Sequence, residues 1–246
     1  PRTIVLYMLV GAMQLGIMYL LAFRAYLYLT VSEFLLFTVF TPLYITLIYD
    51  LLSGRKLRWG YLLSAALAVL GAAIIRYDKV SDHFWTGLLL VQLSNLCFAI
   101  GMVGYKRLME VRPMPQHNAF AWFYVGAFIV AVAAWFMLGN AQKLPTTTLQ
   151  WSVLVWLGVV ASGLGYFMWN YGATQVDAGT LGIMNNVHVP AGLLVNLAIW
   201  QEQPHWPSFI SGALVILASL WVHRRWVAPH SGQTADDRRR GSAQSE

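Results

Sequence analysis

Amide and aromatic side chains set inside long apolar segments are the residues of this chain best suited to bind a solute. Asn185, His188, Gly192 and Asn196 follow i, i+3, i+7 and i+11, which is one stripe of a helix, and Asn186 lies beside it. Amides offer donors and acceptors, and histidine titrates near neutral pH, so the stripe suits solute binding or proton coupling. The alternatives are a satisfied neutral histidine and amides that only bond a neighbouring helix.

Polar or aromatic side chains also lie in four other apolar segments. They are Gln14 in the first; Glu33, Phe37, Thr41 and Tyr44 in the second; Gln92 and Asn95 in the fourth; and Tyr166, Trp169 and Asn170 in the sixth. Polar groups at bilayer depth are costly unless they face protein or a water-filled cavity. With the stripe, these residues predict a cavity suited to an uncharged or zwitterionic solute. Gln92 and Asn95 fit hydrogen bonds between helices equally well.

Two prolines fall inside apolar segments, Pro42 in the second and Pro190 in the seventh. Proline has no backbone N–H, so each one frees a carbonyl of the preceding turn. Both are predicted to act as hinges, or to bind solute through the freed carbonyls, and a static kink is the alternative.

Membrane-spanning helices must position these residues. Of the 246 residues, 58% are hydrophobic and 11% are charged, against about 25% charged in a soluble domain. A bilayer core about 30 Å thick needs around 20 apolar residues per helix. The sequence therefore predicts an all-α, polytopic bundle of eight spans, which are Ile4–Phe23, Phe34–Tyr49, Trp59–Ile75, Phe84–Tyr105, Ala119–Leu138, Leu149–Tyr171, Thr180–Trp200 and Trp206–Val222.

The basic residues indicate the orientation of the spans. The net charge of +6 comes from Lys and Arg at span ends, without a basic patch interleaved with aromatics, so nucleic acid is not an expected partner. With the N-terminus inside, twelve basic residues fall on the cytoplasmic side and three outside. This predicts an inner-membrane protein with both termini cytoplasmic. Arg24 and Lys106 are expected to extend to the membrane surface, and residues 228–246 are expected to be a disordered tail.

Catalysis is not predicted. The chain has no GxSxG or HExxH motif and no paired intramembrane aspartates. No metal site and no cofactor are expected, and Cys97, as the single cysteine, cannot form an intramolecular disulfide. The expected partners are a small-molecule substrate and the lipid bilayer, with the oligomeric state left open.

The first three spans echo the last three. Gly11, Gly16 and Tyr19 match Gly158, Gly163 and Tyr166 at a spacing of 147, and Pro42 and Ala65 match Pro190 and Ala213 at 148. Matched spans are five helices apart, so the copies run in opposite orientations, as in many secondary transporters. Residues 1–76 are then the remainder of a first repeat and residues 84–226 a second. The simplest expectation is that two helices upstream of Pro1 are missing, and a complete eight-helix protein is the alternative.

These stretches resemble the drug/metabolite transporter superfamily of the EamA type. The resemblance rests on a glycine-rich helix, a polar turn, a helix with a mid-span proline, a Gly-Glu turn and a small-residue helix, in GAMQLGIMYL to SAALAVLG and again in GVVASGLGYF to GALVILA. The turn is Gly54-Arg55 in the first copy and Gln201-Glu202 in the second, so each keeps one member.

The resemblance implies a transporter built from two inverted halves. We expect a secondary transporter that exports a small organic metabolite, such as an amino acid or an amine, by alternating access. The alternatives are a channel-like facilitator and a non-transporting membrane fragment or partner.

Overall fold

This computed structural model describes residues 2–29, 34, 37–54, 59, 63, 66–67, 70, 84–187, 190–191, 194, 206–222 and 225. Within them the chain forms seven helices. They are α1 (Arg2–Ala25), α2 (Thr41–Leu52), α3 (Phe84–Val111), α4 (Gln116–Leu138), α5 (Thr148–Ala173), α6 (Ala178–Asn185) and α7 (Trp206–Val222). A short 3₁₀ turn, Ala141–Lys143, lies between α4 and α5.

Four of these helices are long and apolar enough to cross a membrane, judged over the described part of the chain. They are Arg2–Ala25, Trp85–Val111, Gln116–Leu138 and Thr148–Ala173, which match the first, fourth, fifth and sixth predicted spans. Helix α7 has the bounds of the eighth predicted span. Most of the third span lies outside the described residues, as do residues 188–189, 192–193 and 195–200 of the seventh.

Helices α1 and α5 each contain a stretch of wider, i to i+5 hydrogen bonding. The stretches are Ala12–Ile17 in α1 and Leu157–Gly165 in α5. Adding the repeat spacing of 147 to the first stretch gives 159–164, which falls within the second. Such π segments are rare in helices and are frequent at functional sites. The two π segments thus recur at the spacing of the predicted repeat, which stays a prediction.

The described residues divide into two compact units. The first unit comes from Pro1–Leu27 and Leu89–Val176, and the second from Tyr28–Leu88 and Asp177–Glu246. Each unit therefore combines helices from the N-terminal and the C-terminal parts of the chain. Helix α1 packs with α3, α4 and α5 in the first unit, and α2 packs with α6 in the second.

Two glycines bring α1 and α4 into close contact in the first unit. A Cβ atom on Gly11 would lie 1.8 Å from the Phe123 carbonyl oxygen, and one on Gly126 would lie 1.8 Å from the Met8 carbonyl oxygen. Lipid chains are as apolar as the helices, so close backbone packing at small residues, and not burial from water, holds such helices together. The aromatic rings of Tyr7, Tyr105 and Phe123 then fill the space beside this crossing.

We predict that Gly126→Ala destabilises the protein, because its new methyl group overlaps the backbone of α1. Forced repacking of this kind costs roughly 1–3 kcal/mol, which should lower the melting temperature in detergent by several degrees. Gly172→Ala is the matched control, since a Cβ atom there meets nothing within 4 Å. Equal melting temperatures for the two variants would contradict the close crossing.

Candidate functional site

The first unit holds a buried pair of amide side chains, Gln14 on α1 and Asn170 on α5. Gln14 Nε2 donates a hydrogen bond to Asn170 Oδ1 at 3.1 Å, and both residues are 0% exposed. Gln14 lies within the π segment of α1, and a Cβ atom on Gly101 would come within 2.3 Å of Gln14 Cβ. The glycine thus allows α1 to approach α3 closely at the residue that carries the amide.

The segment of α5 that carries Asn170 is rich in aromatic side chains. The ring of Tyr166 lies 6.2 Å from that of Tyr19 and 6.3 Å from that of Phe98, measured between centroids. Trp169 Nε1 donates to the sulfur of Met102 at 2.9 Å, next to Asn170 in the chain. Four predicted site residues, Gln14, Tyr166, Trp169 and Asn170, are therefore brought close together.

Two further predicted site residues of the first unit lie on α3. Asn95 is buried and Gln92 is half-buried. Nearby, Ser94 Oγ donates to the Met18 carbonyl at 3.0 Å, so this part of α3 is tied to α1 by a side chain that the sequence did not single out.

An apolar cleft of about 650 Å³ also lies in the first unit, beside α1, α4 and α5. The lining side chains that carry a polar atom are those of Tyr19, Tyr124, Trp135 and Ser162, and neither Gln14 nor Asn170 lines it. The cleft therefore offers shape and apolar surface but few polar contacts for a solute.

The second unit contains a helix break ahead of Pro42. Phe37 and Thr38 are helical, Val39 and Phe40 form a turn, and α2 begins at Thr41. The sequence placed Pro42 inside a continuous span, whereas it lies in the first turn of α2, where a missing N–H costs nothing. The amide of Leu43 bonds to the Phe40 carbonyl at 3.0 Å. In a regular α-helix it would donate to the Val39 carbonyl instead, so that carbonyl can accept from a side chain.

Protein side chains take the carbonyls that this break releases. Thr41 Oγ1 donates to the Thr38 carbonyl at 2.7 Å, and Asn186 Nδ2 donates to the Val39 carbonyl at 3.1 Å. In this conformation threonine and asparagine side chains donate to the carbonyls released before Pro42, and the binding of solute by these carbonyls stays a prediction. Asn186 Oδ1 is buried and has no hydrogen-bond partner within the described part of the chain.

The seventh predicted span is interrupted in the same manner. Helix α6 ends at Asn185, a turn follows at Asn186 and Val187, and Pro190 and Ala191 are helical again. Helix α6 lies against α2, where a Cβ atom on Gly182 would lie 3.3 Å from the Pro42 carbonyl oxygen. Asp177 begins α6 by accepting hydrogen bonds from the amides of Gly179 and Thr180.

The burial of the other predicted residues of the second unit differs from one residue to the next. Phe37 and Asn185 are buried, and Tyr44 and Pro190 are half-buried. His188, Gly192, Asn196 and Glu33 lie outside the described residues. Among the residues that the structure describes, no three His, Cys, Asp or Glu side chains lie close enough together to hold a metal ion.

Lys106 has a role that sequence reasoning missed. The sequence predicted that its side chain extends to the membrane surface, but Lys106 on α3 is only 4% exposed. Its Nζ donates to the carbonyls of Ala173 at 3.1 Å and Val176 at 2.6 Å, and it pairs with Glu110 at 3.3 Å. A cation at a helix C-terminus stabilises the unpaired carbonyls there, so Lys106 holds the end of α5 against α3.

Comparisons with known proteins identify related transporters. The EamA-like transporter family matches residues 85–224. A protein of Escherichia coli (strain K12) described as a biotin transporter is 82% identical over 245 residues, which cover 100% of this chain and 82% of that protein. A probable biotin transporter of Pseudomonas aeruginosa is 52% identical over 91% of this chain and 79% of its own length.

A solved crystal structure shares the fold. It matches this structure with a TM-score of 0.69 and 17% sequence identity, over 89% of this chain and 84% of the other. At this identity the likeness concerns the fold alone.

We predict that Lys106→Met destabilises the protein, because the carbonyls of Ala173 and Val176 lose their buried donor. Leaving such groups unpaired costs roughly 1–3 kcal/mol, and the melting temperature in detergent should fall accordingly. Arg107→Met is the control, since Arg107 is partly exposed and its ion pair with Glu110 contributes little. A similar loss in both variants would show that the effect comes from Glu110 and not from the end of α5.

We also predict that Asn186→Asp destabilises the second unit. The carboxylate keeps the shape of the amide but has no proton to donate, and it sets a negative charge against the Val39 carbonyl. Protonating the buried carboxyl group would restore a donor, but at neutral pH this costs free energy as well. Ser211→Ala serves as the control, because that hydroxyl is exposed and donates to the Pro207 carbonyl of its own helix. Thermal melting should show a loss for Asn186→Asp alone, and an unchanged melting temperature would refute the bond between the two helix breaks.

Proposed function

The chain belongs to the EamA-like transporter family, within the drug/metabolite transporter superfamily, and on that basis we propose that it carries biotin across the bacterial inner membrane. It is a multi-pass membrane protein and a transporter of a small metabolite. The observation that carries the proposal is the 82% identity, along essentially the whole chain, with a protein described as a biotin transporter. Biotin replaces the amino acid or amine expected from the family resemblance.

The chemistry of biotin agrees with the polar side chains of the spans. Biotin has a neutral cyclic ureido group, an apolar ring with a thioether, and a valerate chain that ends in a carboxylate. Amides complement the ureido group, and aromatic rings provide apolar contact area. In the first unit the proposed solute contacts are Gln14, Gln92, Asn95, Tyr166, Trp169 and Asn170. In the second unit they are Phe37, Tyr44, Asn185, Asn186 and, from the sequence, His188.

We propose a carrier mechanism on the basis of the predicted repeat and of backbone irregularities that recur at its spacing. The π segments of α1 and α5 occupy matching positions, and both prolines follow a break in a helix. Interrupted helices in inverted repeats are the usual basis of alternating access, with Pro42 and Pro190 as the hinges. Export is the direction expected from the family resemblance, and it remains a prediction.

We predict saturable counterflow of biotin. Purified protein in proteoliposomes loaded with unlabelled biotin should take up external tritiated biotin faster than protein in empty vesicles does, because a carrier returns more quickly when loaded. Initial rates measured against external concentration should saturate. Rates that rise linearly without saturation would indicate the channel-like alternative, and equal rates in loaded vesicles and protein-free liposomes would refute biotin transport.

Variants of the proposed contact residues test where biotin binds. Asn185→Ala and Gln92→Ala should each lower the rate at low biotin concentration, since each removes a proposed solute contact. Gln175→Ala is the matched control, because this exposed amide follows the end of α5 and bonds only to neighbouring Thr174 in the structure. If all three variants transport like the wild type, the proposed contacts are wrong although the transport proposal stands.

A further inference from the structure

We propose that Gln14 and Asn170 together recognise the ureido group of biotin, an inference that rests on the function proposed above. The two amides share one hydrogen bond, which uses a donor of Gln14 and the acceptor of Asn170. The acceptor Gln14 Oε1 and the donor Asn170 Nδ2 remain, and neither has a hydrogen-bond partner among the described residues. The pair therefore presents one acceptor and one donor from a fully buried position.

Leaving both atoms unpaired is costly, because no bulk water reaches the interior of a membrane span to replace the missing partners. Buried polar groups of native proteins are nearly always satisfied, and exceptions point to strain, to function or to a bound molecule. Two such exceptions on one bonded pair of residues indicate a place where a ligand group inserts.

The complement of one acceptor and one donor is a group that carries an N–H and a C=O side by side. The ureido ring of biotin has this arrangement, with each N–H adjacent to the shared carbonyl. A carboxylate has no donor for Gln14 Oε1, an ammonium has no acceptor for Asn170 Nδ2, and a thioether makes only weak bonds. The pair therefore selects the ureido end of biotin and not its valerate carboxylate.

The charges nearby favour the same orientation. Lys106, the buried cation of the first unit, is engaged by the carbonyls of Ala173 and Val176 and by Glu110. Gln14 and Asn170 are neutral, and the side chains beside them, Trp169 and Met102, bond to each other. A neutral ligand group fits this environment without the cost of burying a charge.

Neighbouring contacts hold the two amides in place. Close packing against Gly101 fixes the backbone of α1 at Gln14, and the bond from Trp169 to Met102 fixes α5 at the residue before Asn170. Both amides are 0% exposed, so this conformation is closed to solute at the pair. The ureido group enters when α1 moves away from α5, a movement that belongs to the proposed alternating-access cycle.

The test compares two acids in the wild type and in the double variant Gln14→Met with Asn170→Leu. Desthiobiotin keeps the ureido ring and the acid chain, whereas lipoic acid keeps an acid chain and a sulfur ring but has no ureido group. In the wild type, desthiobiotin should compete with tritiated biotin and lipoic acid should not. The double variant removes all four polar amide atoms together with the cost of desolvating them. It should raise the KM for biotin roughly 10-fold to 100-fold, and desthiobiotin should no longer compete better than lipoic acid.

Ser94→Ala is the matched control. It removes another buried hydrogen bond to α1, from Ser94 to the Met18 carbonyl, and it should change the melting temperature without changing the KM or the preference. If the double variant keeps the wild-type KM and preference while its melting temperature shifts, the pair only joins α1 to α5 or holds a water molecule, and the inference is overturned while biotin transport stands.

A wild type without biotin counterflow would overturn the proposed function instead. The pair is then tested with 2-imidazolidinone, the bare cyclic urea. Thermal stabilisation of the wild type by this compound, absent in the double variant, supports the urea site. Equal behaviour of the two proteins overturns it.

Discussion

The structure depends on one constraint: within a bilayer, every backbone N–H and C=O of a span must find its partner in the protein. A continuous helix meets it internally, and α3 and α4 do so over long stretches. The informative places are those where the helix pattern fails. At the break before Pro42, Thr41 and Asn186 donate to the released carbonyls. At the end of α5, Lys106 donates to the carbonyls of Ala173 and Val176. Side chains thus complete the backbone bonding where it is interrupted, and Asn186 and Lys106 do so from far away in the sequence.

The helices themselves were predictable from the sequence, because the length and hydropathy of an apolar segment depend only on its own residues. Helices α1, α3, α4, α5 and α7 lie where uninterrupted apolar segments predict them. The breaks were harder to place. Proline removes one donor, but the residue at which the helix stops depends on which groups take the freed carbonyls. Asn186, which lies 147 residues from Val39 in the chain, decides this at the first break.

The candidate site was predictable residue by residue but not in its pairings. Gln14 and Asn170 were each recognisable as costly amides in apolar segments, while their bond joins residues 156 apart. Lys106 shows the opposite case. A lysine near a span end is expected to extend to water, and only the fold reveals that two carbonyls about 70 residues away offer it partners inside the protein.

The number of hydrogen-bond donors and acceptors left unused distinguishes polar side chains that join helices from those suited to bind a solute. Ser94 is a joining residue, since its hydroxyl finds the Met18 carbonyl and is not among the unsatisfied groups. Asn186 is intermediate, because its donor holds the helix break and only an acceptor is left over. Gln14 and Asn170 bond to each other through one amide nitrogen and one amide oxygen. The other nitrogen, a donor, and the other oxygen, an acceptor, have no partner among the described residues. A pair that served only to join α1 and α5 would be better replaced by apolar residues, because half-satisfied polar networks cost more than an apolar contact. Its presence is explained by a ligand group that completes it, and the ureido ring has both of the missing partners.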